Sequence, residues 1–369
     1  MKSTRAEWKS VRRLVVKIGS RLIAEDPLAR TLALASEVKA LAARGVATTI
    51  VSSGAVALGR ALLGMTERPR ELPLLQAAAA VGQVRLMEEW TRALSYRGLH
   101  AGQVLLTHDD VRARGRYLSA RQTLNALLSV GAVPVINEND TVSVDEIKFG
   151  DNDRLAALVC SLVEAELLVI LTDVAGLHDG DPAAGGRLIA EVHDIDRQAT
   201  PVAGGSASGM GTGGMASKVE AARIAGRFGV PTVVAAGRRE RPLTSILEGE
   251  PVGTVFWPSL GRLQSRKQWI AYALKPGGRV TVDDGARRAL SDAGKSLLPS
   301  GVTAVEGAFE AGDCVSVLGP DGREFARGLC AFSAADLAKV RGRRTAELAA
   351  ILGAPSVDEV IHRDDLVVL

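Results

Sequence analysis

Apolar and polar positions fall into blocks along the first two-thirds of the chain, and the blocks are of two kinds. Short runs rich in Val, Ile and Leu predict buried strands at Val11–Ile18, Val46–Val51, His100–Thr107, Ala132–Asn137, Leu167–Leu171 and Val230–Ala236, the last taken as the end of the series. Between them, apolar residues recur every three or four positions, the spacing of a helix with one buried face. That spacing predicts helices over Leu28–Ala43, Leu72–Tyr96, Arg116–Val130, Asp151–Glu164 and Val219–Phe228, with a helix also starting after Ser52-Ser53-Gly54-Ala55. Strands that are apolar on both faces and separated by helices predict a mainly parallel sheet covered on both sides, a three-layer α/β/α sandwich. Ligands of such sheets sit beyond the carboxyl ends of the strands.

The pattern changes after Gly237. Pro242, Pro251 and Pro258 punctuate Arg238–Leu260, which reads as an irregular exit from the sheet. Ser265–Leu274 reads as a short strand or helix, and Lys275-Pro276-Gly277-Gly278 as a linker. Beyond it the predicted strands are Arg279–Val282, Gly301–Val305, Cys314–Leu318, Glu324–Leu329 and Glu359–Leu369. Asp321-Gly322 between two of them signals a hairpin. The expected organisation is a large domain over residues 1–260, a linker over 261–275 and a small, mainly β, barrel-like module over 276–369. A length of 369 residues suits two domains.

Charge separates these parts. The formal net charge is +3, but residues 276–369 hold 11 Lys+Arg against 14 Asp+Glu, a net of −3. An acidic module opposes nucleic-acid binding, which depends on neutralising phosphates. Cys160, Cys314 and Cys330 form no CxxC pair and leave an odd residue, so they read as buried thiols in a reducing compartment. No leader-like segment opens the chain and no apolar run approaches a membrane span, so a cytoplasmic protein is expected. The histidines, His100, His108, His178, His193 and His362, show no metal-ligand spacing.

Candidate chemistry gathers at strand ends. Residues 204–218 contain six glycines and end in Lys218, just before a helix. Loop amides and a helix N-terminus favour phosphate there. Lys17-Ile18-Gly19-Ser20 closes the first strand and supplies a second lysine beside a glycine. Two such elements suggest a polyphosphate held at both ends. Gly209-x-Gly211-x-x-Gly214 has the dinucleotide spacing but no strand before it, and Lys218 stands too far from Gly214 for a P-loop. Ser52-Ser53-Gly54-Ala55 lacks the glycine pattern of a hydrolase elbow; its serines suit a helix cap, a substrate carboxylate, or both. Asn137-Glu138-Asn139-Asp140 and Gly150-Asp151-Asn152-Asp153 offer amides and carboxylates to an amino group, or cap helices. Thr172-Asp173 is a further polar pair at a strand end, or a turn initiator.

In this order, Val15–Ser20, Ser53–Ala55, Val133–Asp140, Gly150–Asp153 and Gly211–Lys218 resemble the amino acid kinase family, in particular its members that phosphorylate glutamate. Val280–Ala286, Ser296–Gly301 and His362–Asp365 resemble a PUA domain. The resemblance implies transfer of the ATP γ-phosphoryl group, with Mg²⁺, to the side-chain carboxylate of L-glutamate, the first step of proline synthesis. It also implies a dimer or tetramer inhibited by proline. Lys17 and Lys218 become the catalytic cations, with Asp153 holding them. ATP contacts fall to Lys17, Gly19, Thr172, Asp173, Thr212, Gly213, Gly214, Met215, Ala216, Ser217 and Lys218. Glutamate contacts fall to Ser53, Gly54, Asp140 and Asn152. No metal ligand is assigned. A family member acting on another acid is the first alternative, and RNA binding through the acidic tail a weaker one.

Overall fold

The computed structural model describes residues 4–112, 114–142, 152–181, 184–203, 214–259, 267, 276–353 and 358–369. The chain divides into two units, Met1–Ser259 and Leu260–Leu369.

In chain order the first unit runs β1 (Arg13–Ile18), α1 (Ser20–Glu25), α2 (Pro27–Ala43), β2 (Ala47–Ser52), α3 (Ala55–Leu62), α4 (Leu72–Ser95) and β3 (Ala101–Leu106). It continues with α5 (His108–Arg112), α6 (Arg114–Ser129), β4 (Val133–Glu138), α7 (Asn152–Leu162), β5 (Leu167–Thr172), β6 (Glu191–Val192), α8 (Thr200–Ala203), α9 (Met215–Arg227), β7 (Thr232–Ala236), α10 (Pro242–Leu247) and β8 (Thr254–Phe256). The strands form one eight-stranded sheet in the order β3-β4-β2-β1-β5-β7-β8-β6. Pairing is parallel from β3 through β7.

Strand parity decides what each face holds, because successive side chains point to opposite sides. Leu14, Val16 and Ile18 of β1 join Ile50, Val135 and Val169 in a core with Leu34 and Val38 of α2 and Leu86 and Trp90 of α4. Val15, Val51, Ile136 and Ile170 face the other way, onto Leu155 and Val159 of α7 and Ala221 and Ala225 of α9. Lys17 has the parity of Val15, so it emerges on the α7/α9 face. Asn137 has the parity of Val135, so it emerges on the α4 face.

Two glycines bring α3 and α4 together. A Cβ on Gly59 would collide with the Ala78 carbonyl, and one on Gly82 with the Ala55 carbonyl. The helices therefore cross backbone against backbone, and the residue after Gly82, Gln83, is drawn to the strand ends.

The sheet does not stop at β7. Strand β8 pairs antiparallel with β7, and β6 pairs parallel with β8. This corrects the expected irregular exit over Arg238–Leu260. Pro242 does not break structure there: it begins α10, where its missing N–H has no partner to lose.

In the second unit five strands line up as β10 (Val302–Gly307), β9 (Gly278–Val282), β11 (Cys314–Leu318), β12 (Glu324–Leu329) and β13 (Leu366–Val368). Val280, Val282, Val315, Val317 and Ala326 meet Leu290, Leu337 and Val340 in its core. Asp321-Gly322 lies in the β11–β12 hairpin, with Gly322 at φ +71°. The last strand is shorter than the expected Glu359–Leu369. Gly277 and Gly278 belong to the fold rather than to a free linker, since Gly278 starts β9 and Gly277 N donates to Cys314 O at 2.9 Å. Ser265–Leu274 lies outside the described residues apart from Lys267.

Candidate active site

Lys17 ends up in a buried position because it belongs to a central strand. Its Nζ lies 2.5 Å from Asp153 Oδ1, and Lys218 Nζ lies 3.1 Å from Asp153 Oδ2. Ser217 Oγ donates to Asp153 Oδ2 at 2.7 Å. All three charged residues are nearly sealed from solvent: Lys17 is 5% exposed, Lys218 4% and Asp153 1%. Burial alone would raise the Asp153 carboxyl. Lys17 and Lys218 outweigh that effect, and with Ser217 they hold it well below the usual carboxylate range. Burial pushes the Lys218 ammonium down, against the pull of Asp153 and in the same sense as repulsion from Lys17. Two cations thus share the Asp153 carboxylate, and the Asp173 charge also acts on Lys218.

Lys218 and Ser217 stand in the first turn of α9, which opens at Gly214. The N-terminal partial charge of that helix has the same sign as the lysines and also favours an anion. Gly214 and Ala216 are exposed and Met215 is half-buried against the second core. Thr212 and Gly213 lie outside the described residues, as do Gly150 and Asp151. Across the sheet, Thr172 Oγ1 donates to Asp173 Oδ1 at 3.0 Å and Arg21 Nη1 to Asp173 Oδ2 at 2.6 Å. Burial opposes ionisation of Asp173, but these bonds and the Arg21 charge hold its carboxyl below its ordinary value. Gly19 N donates to Leu171 O at 3.1 Å, which fixes the turn after β1 against the end of β5.

The neighbour of Asp153 builds a second polar group. Asn152 Nδ2 donates to Ser53 Oγ at 3.1 Å and to Asn137 Oδ1 at 3.0 Å. Asn137 Nδ2 in turn donates to Gln83 Oε1 at 2.8 Å. Ser53 and Asn152 therefore do not act as helix caps. The residue that opens α3 is Gly54 at φ +121°, a conformation that side chains strain to adopt, with no side-chain capping bond. Ser52 is occupied elsewhere, accepting from Trp90 Nε1 at 3.0 Å. Asp140 is half-buried. Burial raises its carboxyl to about 6, against the opposing charge of Arg68.

One helix start thus joins the two groups. Asp153 turns to the lysines and Asn152 to Ser53 and Asn137. Thr172 and Asp173 pair with Arg21, and the Asp173 charge also acts on Lys218, whereas Asp140 faces the charge of Arg68. Gln83 and Arg21 were not singled out from the sequence. Gln83 carried a faint signal: it borders the buried stripe Leu75, Ala78, Ala79, Gly82 and Leu86 of α4. Arg21 carried none that distinguishes it from other surface arginines.

Residues 12–236 match the amino acid kinase family. The chain belongs to that family. Residues 278–352 match the PUA domain. The chain is 50% identical to glutamate 5-kinase of Pelobacter propionicus, over 98% of this chain and 99% of that protein. It is 52% identical to glutamate 5-kinase of Geobacter metallireducens, over 98% of each chain. The Myxococcus xanthus glutamate 5-kinase is 47% identical over 99% of this chain and 98% of its own. Among the described residues, no helix of this amino acid kinase is long and apolar enough to cross a membrane.

Proposed function

We propose that this amino acid kinase transfers the γ-phosphoryl group of ATP to the side-chain carboxylate of L-glutamate, giving L-glutamyl 5-phosphate, the first step of proline biosynthesis. The observation that carries this reading is the Lys17–Asp153–Lys218 cluster set one residue from the Asn152–Ser53–Asn137 group. The first group suits a transferring phosphoryl group and the second an α-amino acid. The match to glutamate 5-kinases over almost the whole chain supports the choice of acid.

The attacking carboxylate is ionised at neutral pH, so the reaction needs no general base. What remains is alignment and neutralisation of charge on the phosphoryl oxygens. Lys17 and Lys218 supply the positive charge. Asp153 is the positioning residue that holds both ammonium groups in place while they lack substrate. Gly19, Thr172, Asp173 and the segment Thr212–Lys218 take the nucleotide. Ser53, Gly54, Asp140 and Asn152 take glutamate. Among the described residues no three His, Cys, Asp or Glu side chains converge on a metal site, and Asp153 is committed to Lys17, Lys218 and Ser217. That donor set fits a Mg²⁺ carried by the nucleotide's phosphate oxygens and water, where it offsets their charge. A cytoplasmic homo-oligomer, dimeric or tetrameric and inhibited by proline, completes the reading.

The test is turnover of ATP with a panel of acids, trapping any acyl phosphate with hydroxylamine. L-glutamate should give hydroxamate, and aspartate and N-acetylglutamate far less. Equal turnover of N-acetylglutamate would overturn the assignment.

A further inference from the structure

The turn that carries Ser53 and Gly54 is held from behind. Ser52 has the parity of Ile50, so it lies on the α4 face, where it is fully buried. Ser53, one residue on, reaches Asn152 of α7 on the other face. Trp90 Nε1 donates to Ser52 Oγ at 3.0 Å. An indole N–H can only donate, so the Ser52 oxygen is the acceptor and its own hydrogen is left over. Ser52 Oγ donates that hydrogen to the Ser53 carbonyl at 3.3 Å. A carbonyl can only accept. The direction from Trp90 through Ser52 to the Ser53 carbonyl is therefore fixed by the groups themselves, and no side-chain amide with exchangeable ends takes part.

The Ser53 carbonyl shares a planar trans peptide with the Gly54 N–H, so the two point in opposite directions. The carbonyl is drawn to Ser52 on the α4 side. The N–H is thus turned away from Trp90, toward the side where Ser53 Oγ meets Asn152. Gly54 is buried, and among the described residues nothing accepts from its N–H. A buried N–H left open is rare and waits for an acceptor. Nor is this orientation the one that any residue would adopt. Gly54 has φ +121°, and turning its peptide over would bring φ to about −60°, which is open to every residue type. Among the described residues the Ser52 hydroxyl is the group that bonds the carbonyl and keeps it inward.

We propose that Ser52, aimed by Trp90, is a positioning residue for the acid: it holds the Ser53–Gly54 peptide so that the Gly54 N–H meets a carboxylate oxygen of the substrate. The inference rests on the proposed reading of Gly54 as a contact of the acid. Ser52 and Trp90 do not touch substrate themselves. Both sit behind the turn, sealed from solvent.

The experiment compares steady-state kinetics of the full-length protein with those of Ser52→Ala, Ser52→Cys and Ser52→Thr. Alanine removes the hydroxyl, and cysteine fills its place with a weak donor. In both, the glutamate KM should rise about fivefold, the loss of about one neutral hydrogen bond, while the ATP KM stays within about twofold. Ser52→Thr keeps the hydroxyl and should stay near the parent. Thermal melts show which variants are folded, and Ser52→Cys decides the matter if Ser52→Ala is not. An unchanged glutamate KM in a folded Ser52→Ala or Ser52→Cys would overturn the role given to Ser52. So would an equal rise in Ser52→Thr, or an equal rise in the ATP KM, since either marks a general loosening of the fold. If the unaltered protein turns over another acid and not glutamate, the choice of substrate fails alone, and the KM for that acid tests Ser52 in the same way.

Discussion

Lys17 and Asp153 meet at 2.5 Å although one closes a strand and the other opens a helix more than a hundred residues later. Asp153 holds Lys218 on its other oxygen, so one carboxylate fixes both cations of the crevice. Several measurable consequences come from this sharing.

Replacing Asp153 with Asn takes away the carboxylate that both buried ammonium groups share. Breaking a buried ion pair from one side costs about 3–5 kcal/mol, so the Asp153→Asn protein should melt well below the unaltered one. Phosphates should then stand in for the lost carboxylate. The rise in melting temperature on adding ATP should be larger in the variant than in the parent, which thermal melts with and without nucleotide will show.

Lys17→Ala and Lys218→Ala should behave differently. Each removes one cation and leaves Asp153 paired with the other, so the melting temperature should change little. Loss of one preorganised group facing the developing charge typically lowers kcat by about 10²–10³-fold. Steady-state kinetics with glutamate checks this, and near-native kcat in either variant would end the two-cation reading.

Asp140 predicts a pH dependence with a definite sign. Its carboxyl is raised to about 6 by burial, so in the free protein it takes up a proton as pH falls through about 6. A neutral Asp140 offers less to the α-ammonium group of glutamate. The glutamate KM should therefore climb below pH 6 while the ATP KM stays nearly flat, and Asp140→Asn should remove the climb. Stability runs the other way. A raised folded value means the group's contribution is present at low pH and lost as pH rises through about 6. Asp140→Asn should therefore raise the melting temperature at pH 8 relative to the parent, with little effect at pH 4.

Ending the chain at Ser259 should leave an active kinase. Lys17, Ser53, Asp140, Asn152, Asp153, Thr172, Asp173 and Lys218 all lie in the first unit. A folded truncation with no activity at saturating substrates would place a needed group in the second unit. Kinetics with and without proline will show whether the second unit bears on inhibition.

Much of this was determined by the amino-acid sequence alone. Val, Ile and Leu runs such as Leu167–Leu171 must be buried strands, and spacings such as that of Leu72–Tyr96 must be one-sided helices, because only those geometries hide the apolar groups while pairing the backbone. Lys17, Asp153 and Lys218 stood out because charge at the end of an apolar strand or beside glycines has no role in packing. Local pattern failed where partners are remote in sequence. Thr254–Phe256 is too short to announce itself and becomes a strand only because β7 offers it a ladder. Ser53 and Asn152 read as helix caps or as site residues, with nothing local to choose, since a polar residue at a helix start has the same composition whether it bonds its own backbone or a side chain far along the chain. Gln83 carried only a faint signal as a site residue, for the same reason. Its position depends on two glycines in different helices and its partner, Asn137, depends on strand parity in a third element. Hydrogen-bond partnership is a property of the assembled group, so tertiary structure alone decided that Asn152 bonds Ser53 and Asn137.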